Sequence, residues 1–94
     1  MHIIYEEQFK NSLYEILAYI AKDKPTAAEN FQYTLKEKIE FVAQNPKICR
    51  ASYYMDDERY RDLIFKGYTI IYKIEDKYLK VLDIFKWVGK TFYA

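Results

Sequence analysis

The chain changes texture once, at Pro46, and that change decides what it can fold into. Before it, apolar residues recur at helical spacing: Phe9, Leu13, Ile16, Leu17 and Ile20 are separated by four, three, one and three positions, which puts them on one stripe of an α-helix. The spacing predicts a helix over about 6–22, ending near Asp23, Lys24 and Pro25. Proline disfavours helical backbone in the residue before it and has no amide to give to the ladder. Pro25 suits the opening turn of a second helix. Ala28, Phe31, Leu35, Ile39 and Val42 mark one side of that helix up to Asn45 and Pro46, with Lys36, Glu37, Lys38 and Glu40 mostly on others.

After Pro46 aromatic and β-branched residues take over. Ser52 to Met55, Tyr60 to Phe65, Tyr68 to Ile74 and Tyr78 to Val88 read as strands. Lys66-Gly67 and Glu75-Asp76-Lys77 supply turns, so the last long strands should pair antiparallel. Alternation assigns Tyr68, Ile70, Tyr72 and Ile74 to one sheet face and Thr69, Ile71 and Lys73 to the other. The expectation is an α+β domain spanning 1–94, an N-terminal antiparallel helix hairpin packed on a three- to four-stranded, mainly antiparallel sheet. Ser52–Met55 is short enough to be either a fourth strand or an irregular edge. The sheet face away from the helices, rich in Tyr, Arg and Lys, is where function is to be sought.

Composition narrows the chemistry. Of 94 residues, 51% are hydrophobic and 11 Tyr, 6 Phe and 1 Trp are aromatic, ample for a core and unlike a disordered chain. Phe9, Phe31, Phe41 and Phe65 are most economically core. With only 2 Gly there is no phosphate-cradling glycine loop. The single cysteine, Cys49, cannot close an internal disulfide, and it reads as a small hydrophobe in a protein of the reducing cytoplasm. No stretch approaches the ~20 apolar residues that cross a bilayer, and no basic, signal-like N-terminus is present. Net charge is +1, with 5 basic and 7 acidic residues over 1–46 against 10 and 7 over 47–94. That bias permits a basic face but is modest for a nucleic-acid protein.

His2 is the sole histidine, at a terminus expected to be mobile or at an edge, so a histidine base, a Ser-His-Asp triad and a histidine metal site are all disfavoured. Asp56, Asp57 and Glu58 are read as a solvated turn rather than a cation site, since no calcium-loop pattern follows them. Neither metal nor cofactor is expected. Arg50, Arg59, Arg61, Lys66, Lys73, Lys80, Lys86 and Lys90 interleave with Tyr53, Tyr54, Tyr60, Tyr68, Tyr72, Trp87 and Tyr93, a mixture that can hold anions or anchor a partner. The plainer reading leaves half of these cations simply facing water. Arg61, flanked by Glu58 and Asp62, suits a structural ion pair as well as a phosphate contact.

The run Glu58-Arg59-Tyr60-Arg61-Asp62-Leu63, then Lys66-Gly67-Tyr68-Thr69-Ile70-Ile71-Tyr72-Lys73-Ile74, then Val81-Leu82-Asp83-Ile84-Phe85, resembles the β-meander of the RelE/ParE toxin superfamily of bacterial type II toxin–antitoxin systems. The two upstream helices, the second opening at Pro25-Thr26-Ala27-Ala28 and closing at Asn45-Pro46, fit the same pattern. The resemblance implies a small cytoplasmic toxin neutralised by a cognate antitoxin, monomeric or dimeric within their complex. One branch of the superfamily cuts messenger RNA on the ribosome without a metal; another inhibits DNA gyrase. For the nuclease branch, the resemblance implies phosphate contacts by Arg61, Lys86 and Lys90, with Tyr93 moving a proton. The arginine that the nucleases commonly place after the Gly-Tyr pair is Thr69 here. The leading expectation is therefore a ParE-like toxin acting on a target such as gyrase, ahead of a ribosome-dependent endonuclease or a decayed toxin that keeps only antitoxin binding.

Overall fold

The computed structural model describes residues 1–86. Strand β1 (His2–Tyr5) runs into helix α1 (Glu7–Asp23), one residue separates it from α2 (Pro25–Gln44), and β2 (Arg50–Ala51), β3 (Tyr60–Phe65), β4 (Tyr68–Ile74) and β5 (Tyr78–Lys86) follow. The strands form one sheet in the order β1-β5-β4-β3-β2. All neighbours are antiparallel except β1, which lies parallel to β5 with His2 opposite Tyr78 and Tyr5 opposite Val81.

Each helix boundary has a local cause. Lys24 closes α1 by donating its amide to the Ile20 carbonyl at 3.0 Å, and its own carbonyl accepts from Ala27 at 3.0 Å to open α2. Pro25 then occupies the first helical position, where its missing amide costs nothing. The β3–β4 hairpin turns through Lys66 and Gly67, both at positive φ (50° and 83°). Two such residues make the tight turn whose twist matches paired strands.

The core lies between the hairpin and the sheet. Phe9 from α1 and Phe31, Leu35, Ile39 and Val42 from α2 are buried against Ile70, Tyr72, Leu79, Val81 and Ile84. Leu13, Ile16, Leu17 and Ile20 pack at its margin. Phe31 meets Phe65 and Tyr68 edge-on at 5.2 and 5.5 Å. The expected β4 alternation holds: Ile70 and Tyr72 face the helices, with Tyr68 and Ile74 beside them.

Two expectations need correction, the strand count and Phe41, and the alternative left open at Ser52–Met55 is decided in favour of an irregular edge. The sheet has five strands rather than three or four: β1 is additional, and the two-residue β2 at Arg50–Ala51 stands in place of a strand at Ser52–Met55. β1 is made by pairing with a strand more than seventy positions away, which no local pattern can announce. Ser52–Met55 is not a strand. The ladder stops at the Ser52 amide, bonded to the Tyr60 carbonyl at 2.8 Å, and the next amide, that of Tyr53, turns to the Asp62 carboxylate at 3.1 Å. Phe41, expected in the core, is 55% exposed, because it falls between the inward positions Ile39, Val42 and Ala43.

Candidate functional site

The sheet face away from the helices is not fully open. Residues 52–55 form a strap across it, with the Tyr54 ring edge-on against Phe85 of β5 at 5.2 Å. On this face Thr69, Ile71 and Asp62 are buried. The Asp62 side chain, fully shielded from solvent, ties the strap down. Its Oδ2 accepts from the Tyr53 amide at 3.1 Å and from Arg50 at 3.4 Å, and the Arg50 guanidinium lies 3.9 Å from the centre of the Tyr53 ring. Asp62 Oδ1 and Thr69 Oγ1 have no hydrogen-bond partner among the described residues.

Arg61 points the other way. It sits opposite Tyr72, on the helix side, and its guanidinium donates to the Glu58 carbonyl at 2.9 Å and the Cys49 carbonyl at 3.0 Å. Beside it, the Tyr72 hydroxyl donates to the Pro46 carbonyl at 2.7 Å. Together they hold the segment from α2 to β2 against the sheet. Burial and the neighbouring Cys49 push the Tyr72 hydroxyl well above the usual phenol range. The ion pair with Asp62 therefore belongs to Arg50, and Arg61 uses Glu58 through its backbone rather than its carboxylate. Cys49 itself is half-buried at the edge of the core.

Lys86 also lies on the helix side, opposite Tyr68, with its ammonium 5.4 Å from that ring. Arg61 and Lys86 are separated by one intervening strand and four positions along it, on the order of 16 Å between Cα atoms. The structure does not bring their charged ends together. Lys90, Tyr93 and Trp87 lie outside the described residues.

The remaining cations divide by partner. Arg59 makes a forked contact with Asp57 at 2.7 and 3.2 Å, and this hydrogen bonding lowers the Asp57 carboxyl to about 2. Lys73 pairs with Glu75 at 3.2 Å, which raises the lysine's affinity for its proton. Lys66 rests over Phe65. No group of three or more His, Cys, Asp and Glu able to hold a metal occurs among the described residues, and no helix among them is long and apolar enough to cross a membrane.

A second feature lies on the helical side. Tyr5, Phe9, Leu13, Leu35 and Ile39 line an apolar groove of about 240 Å³ between the hairpin and β1, with Lys10 and Lys36 in its walls. Tyr5 stacks on Phe9 at 5.5 Å, and burial, with Glu40 nearby, raises its hydroxyl pKa. The sequence carried one signal for this groove: each lysine directly follows a core residue, Phe9 or Leu35, so it flanks the apolar stripe. Without β1 in place, the groove's third wall was invisible.

Known proteins agree with this architecture. The family described as the ParE toxin of the type II toxin–antitoxin system parDE matches residues 3–86. A solved structure of the chromosomal ParDE toxin–antitoxin system from P. aeruginosa is similar in fold, with a TM-score of 0.75 and 16% identity over 94% of this chain and 97% of that one. No curated protein matches the sequence.

Proposed function

The chain belongs to the ParE toxin family of type II toxin–antitoxin systems, and we propose from this premise that it arrests growth in the cytoplasm by gripping DNA gyrase rather than by cutting RNA. The observation that carries the choice is the state of Arg61. A phosphate-binding arginine needs a guanidinium free to turn toward the phosphate, whereas two of the five N–H donors here are held by backbone carbonyls, which fix the group beside the segment between α2 and β2 and apart from Lys86. The nuclease alternative would require Arg61 to leave both carbonyls and to act with Lys86, Lys90 and Tyr93. A protein-binding toxin makes no such demand, and exposed rings such as Tyr53, at 76% exposure, suit a protein target.

The antitoxin would occupy the groove between the hairpin and β1. Its apolar lining and its two lysines suit an amphipathic segment with acidic flanks, which exchanges apolar burial for its ordering entropy. Two assays test the reading. Purified protein added to DNA gyrase should block supercoiling of a relaxed plasmid, and unimpaired supercoiling at a large molar excess would count against the target. Binding of the co-encoded antitoxin at micromolar concentration should be lost in Leu13→Glu; antitoxin binding that survives this change would move the docking site elsewhere.

A further inference from the structure

The strap and the turn after it are tied at both ends to one residue. At the start the Ser52 amide donates to the Tyr60 carbonyl at 2.8 Å, and at the far end the Tyr60 amide donates to the Asp57 carbonyl at 3.0 Å. Residues 52–57 thus form a loop whose ends meet at the first position of β3. The loop keeps its own bend, because the Tyr54 amide donates to Ser52 Oγ at 3.1 Å. Tyr53, Met55 and Asp56 are exposed. The loop grips the sheet through the Tyr53 amide on Asp62 and the Tyr54 ring on Phe85. What lies beneath works against closure. Asp62 Oδ1 and Thr69 Oγ1 are shielded from water without a hydrogen-bond partner among the described residues. They share a face and are diagonal neighbours across β3 and β4, since Asp62 stands opposite Ile71 and Thr69 opposite Ile64. A buried polar atom without a partner costs the closed state the hydration that it has in water. Lifting the loop returns that hydration to both atoms, which offsets part of what the Tyr53 and Tyr54 contacts lose.

We propose that residues 52–57 are a lid hinged at Tyr60, which opens independently of the rest of the fold and uncovers Asp62, Thr69 and Ile71. The opening requires neither gyrase nor an antitoxin, and it leaves the hydrophobic core intact, because none of residues 52–57 belongs to that core. A ligand that needs the covered groups meets them only in the open state, so its apparent affinity falls by the open fraction.

Hydrogen exchange of the full folded chain, followed amide by amide by NMR at neutral pH, tests this. After correction for intrinsic rates, the Tyr53 amide should exchange at least about 100-fold faster than that of Ile39, buried in the interior of α2. Low denaturant that speeds Ile39 should leave Tyr53 unchanged. Equal protection of the two amides would overturn the proposal, because loop and core would then open as one unit. Thr69→Val removes the unpartnered hydroxyl while keeping the shape of the side chain. It should slow the Tyr53 amide about tenfold, and Ile39 by the same factor, because lid opening and global unfolding both expose position 69 to water. A Tyr53 amide indifferent to the change would mean that the opening does not uncover Thr69. Faster exchange at both amides, or a variant that does not fold, would mean that the hydroxyl is satisfied in the closed state. Either result overturns the proposal.

Discussion

The two faces of the sheet are built on different principles. Against the helices the packing is dry: Leu79 and Ile70 are 0% exposed, and the buried Tyr72 hydroxyl has its acceptor. On the other face a strap of irregular chain lies over a buried carboxylate, one oxygen of which, like the Thr69 hydroxyl, has no hydrogen-bond partner among the described residues, and elsewhere on that face two lysines, Lys73 and Lys80, stand opposite each other. Unpaired buried polar atoms and opposed like charges both lower stability. Packing against the helices therefore contributes the larger share of the folding free energy, and the polar groups of the other face detract from it.

The largest way to break this contrast is to empty the dry face. Leu79→Ala should cost about 2–5 kcal/mol by chemical denaturation. Ile64→Ala, at a β3 position that is 47% exposed, should change stability by roughly 0.5 kcal/mol or less. Equal losses would erase the distinction. Next comes the clamp on the segment between α2 and β2. Arg61→Ala leaves the Cys49 and Glu58 carbonyls without their donor and should cost about 1–3 kcal/mol. An Arg61→Ala variant of unchanged stability would show that the guanidinium is free for other work.

Tyr72→Phe, which deletes only the hydroxyl donating to Pro46, should cost about 1 kcal/mol, with a pH signature. The folded-state pKa of this hydroxyl is raised above its ordinary 10.0, so the stabilisation is fully present below pH 10 and is lost as pH rises beyond it. Thermal melts of the wild type should fall through this alkaline range, and those of Tyr72→Phe should fall less. The smallest effect is on the wet face. Removing one of two facing charges by Lys80→Gln should leave the melting temperature equal or slightly higher, whereas a clear drop would mean that Lys80 is a structural residue.

Much of the dry face was legible in the sequence. The stripes on both helices, the Lys66-Gly67 turn and the alternation of β4 are local patterns, and each is realised where the periodicity put it. The wet face was less so. Asp62 and Arg61 are adjacent in a run of charges, and nothing local tells that the carboxylate is buried under a strap while the guanidinium reaches backbone carbonyls on the helix side. Alternation does separate the two residues onto opposite faces, but the destination of each depends on residues 46–54, whose path follows from the Tyr53 amide choosing a side chain over the ladder. Phe41 shows the same limit in a helix: type suggested burial, and angular position decided against it.

On the proposed function, this ParE-family toxin acts on a protein target and not on messenger RNA. Inducing the chain in a bacterium, without its antitoxin, and following plasmid supercoiling and messenger-RNA integrity in the same culture tests it most directly. Growth should arrest with loss of negative supercoiling while transcripts stay intact. Rapid transcript cleavage with unchanged supercoiling would contradict it, and would mean that Arg61 leaves its carbonyls on the ribosome.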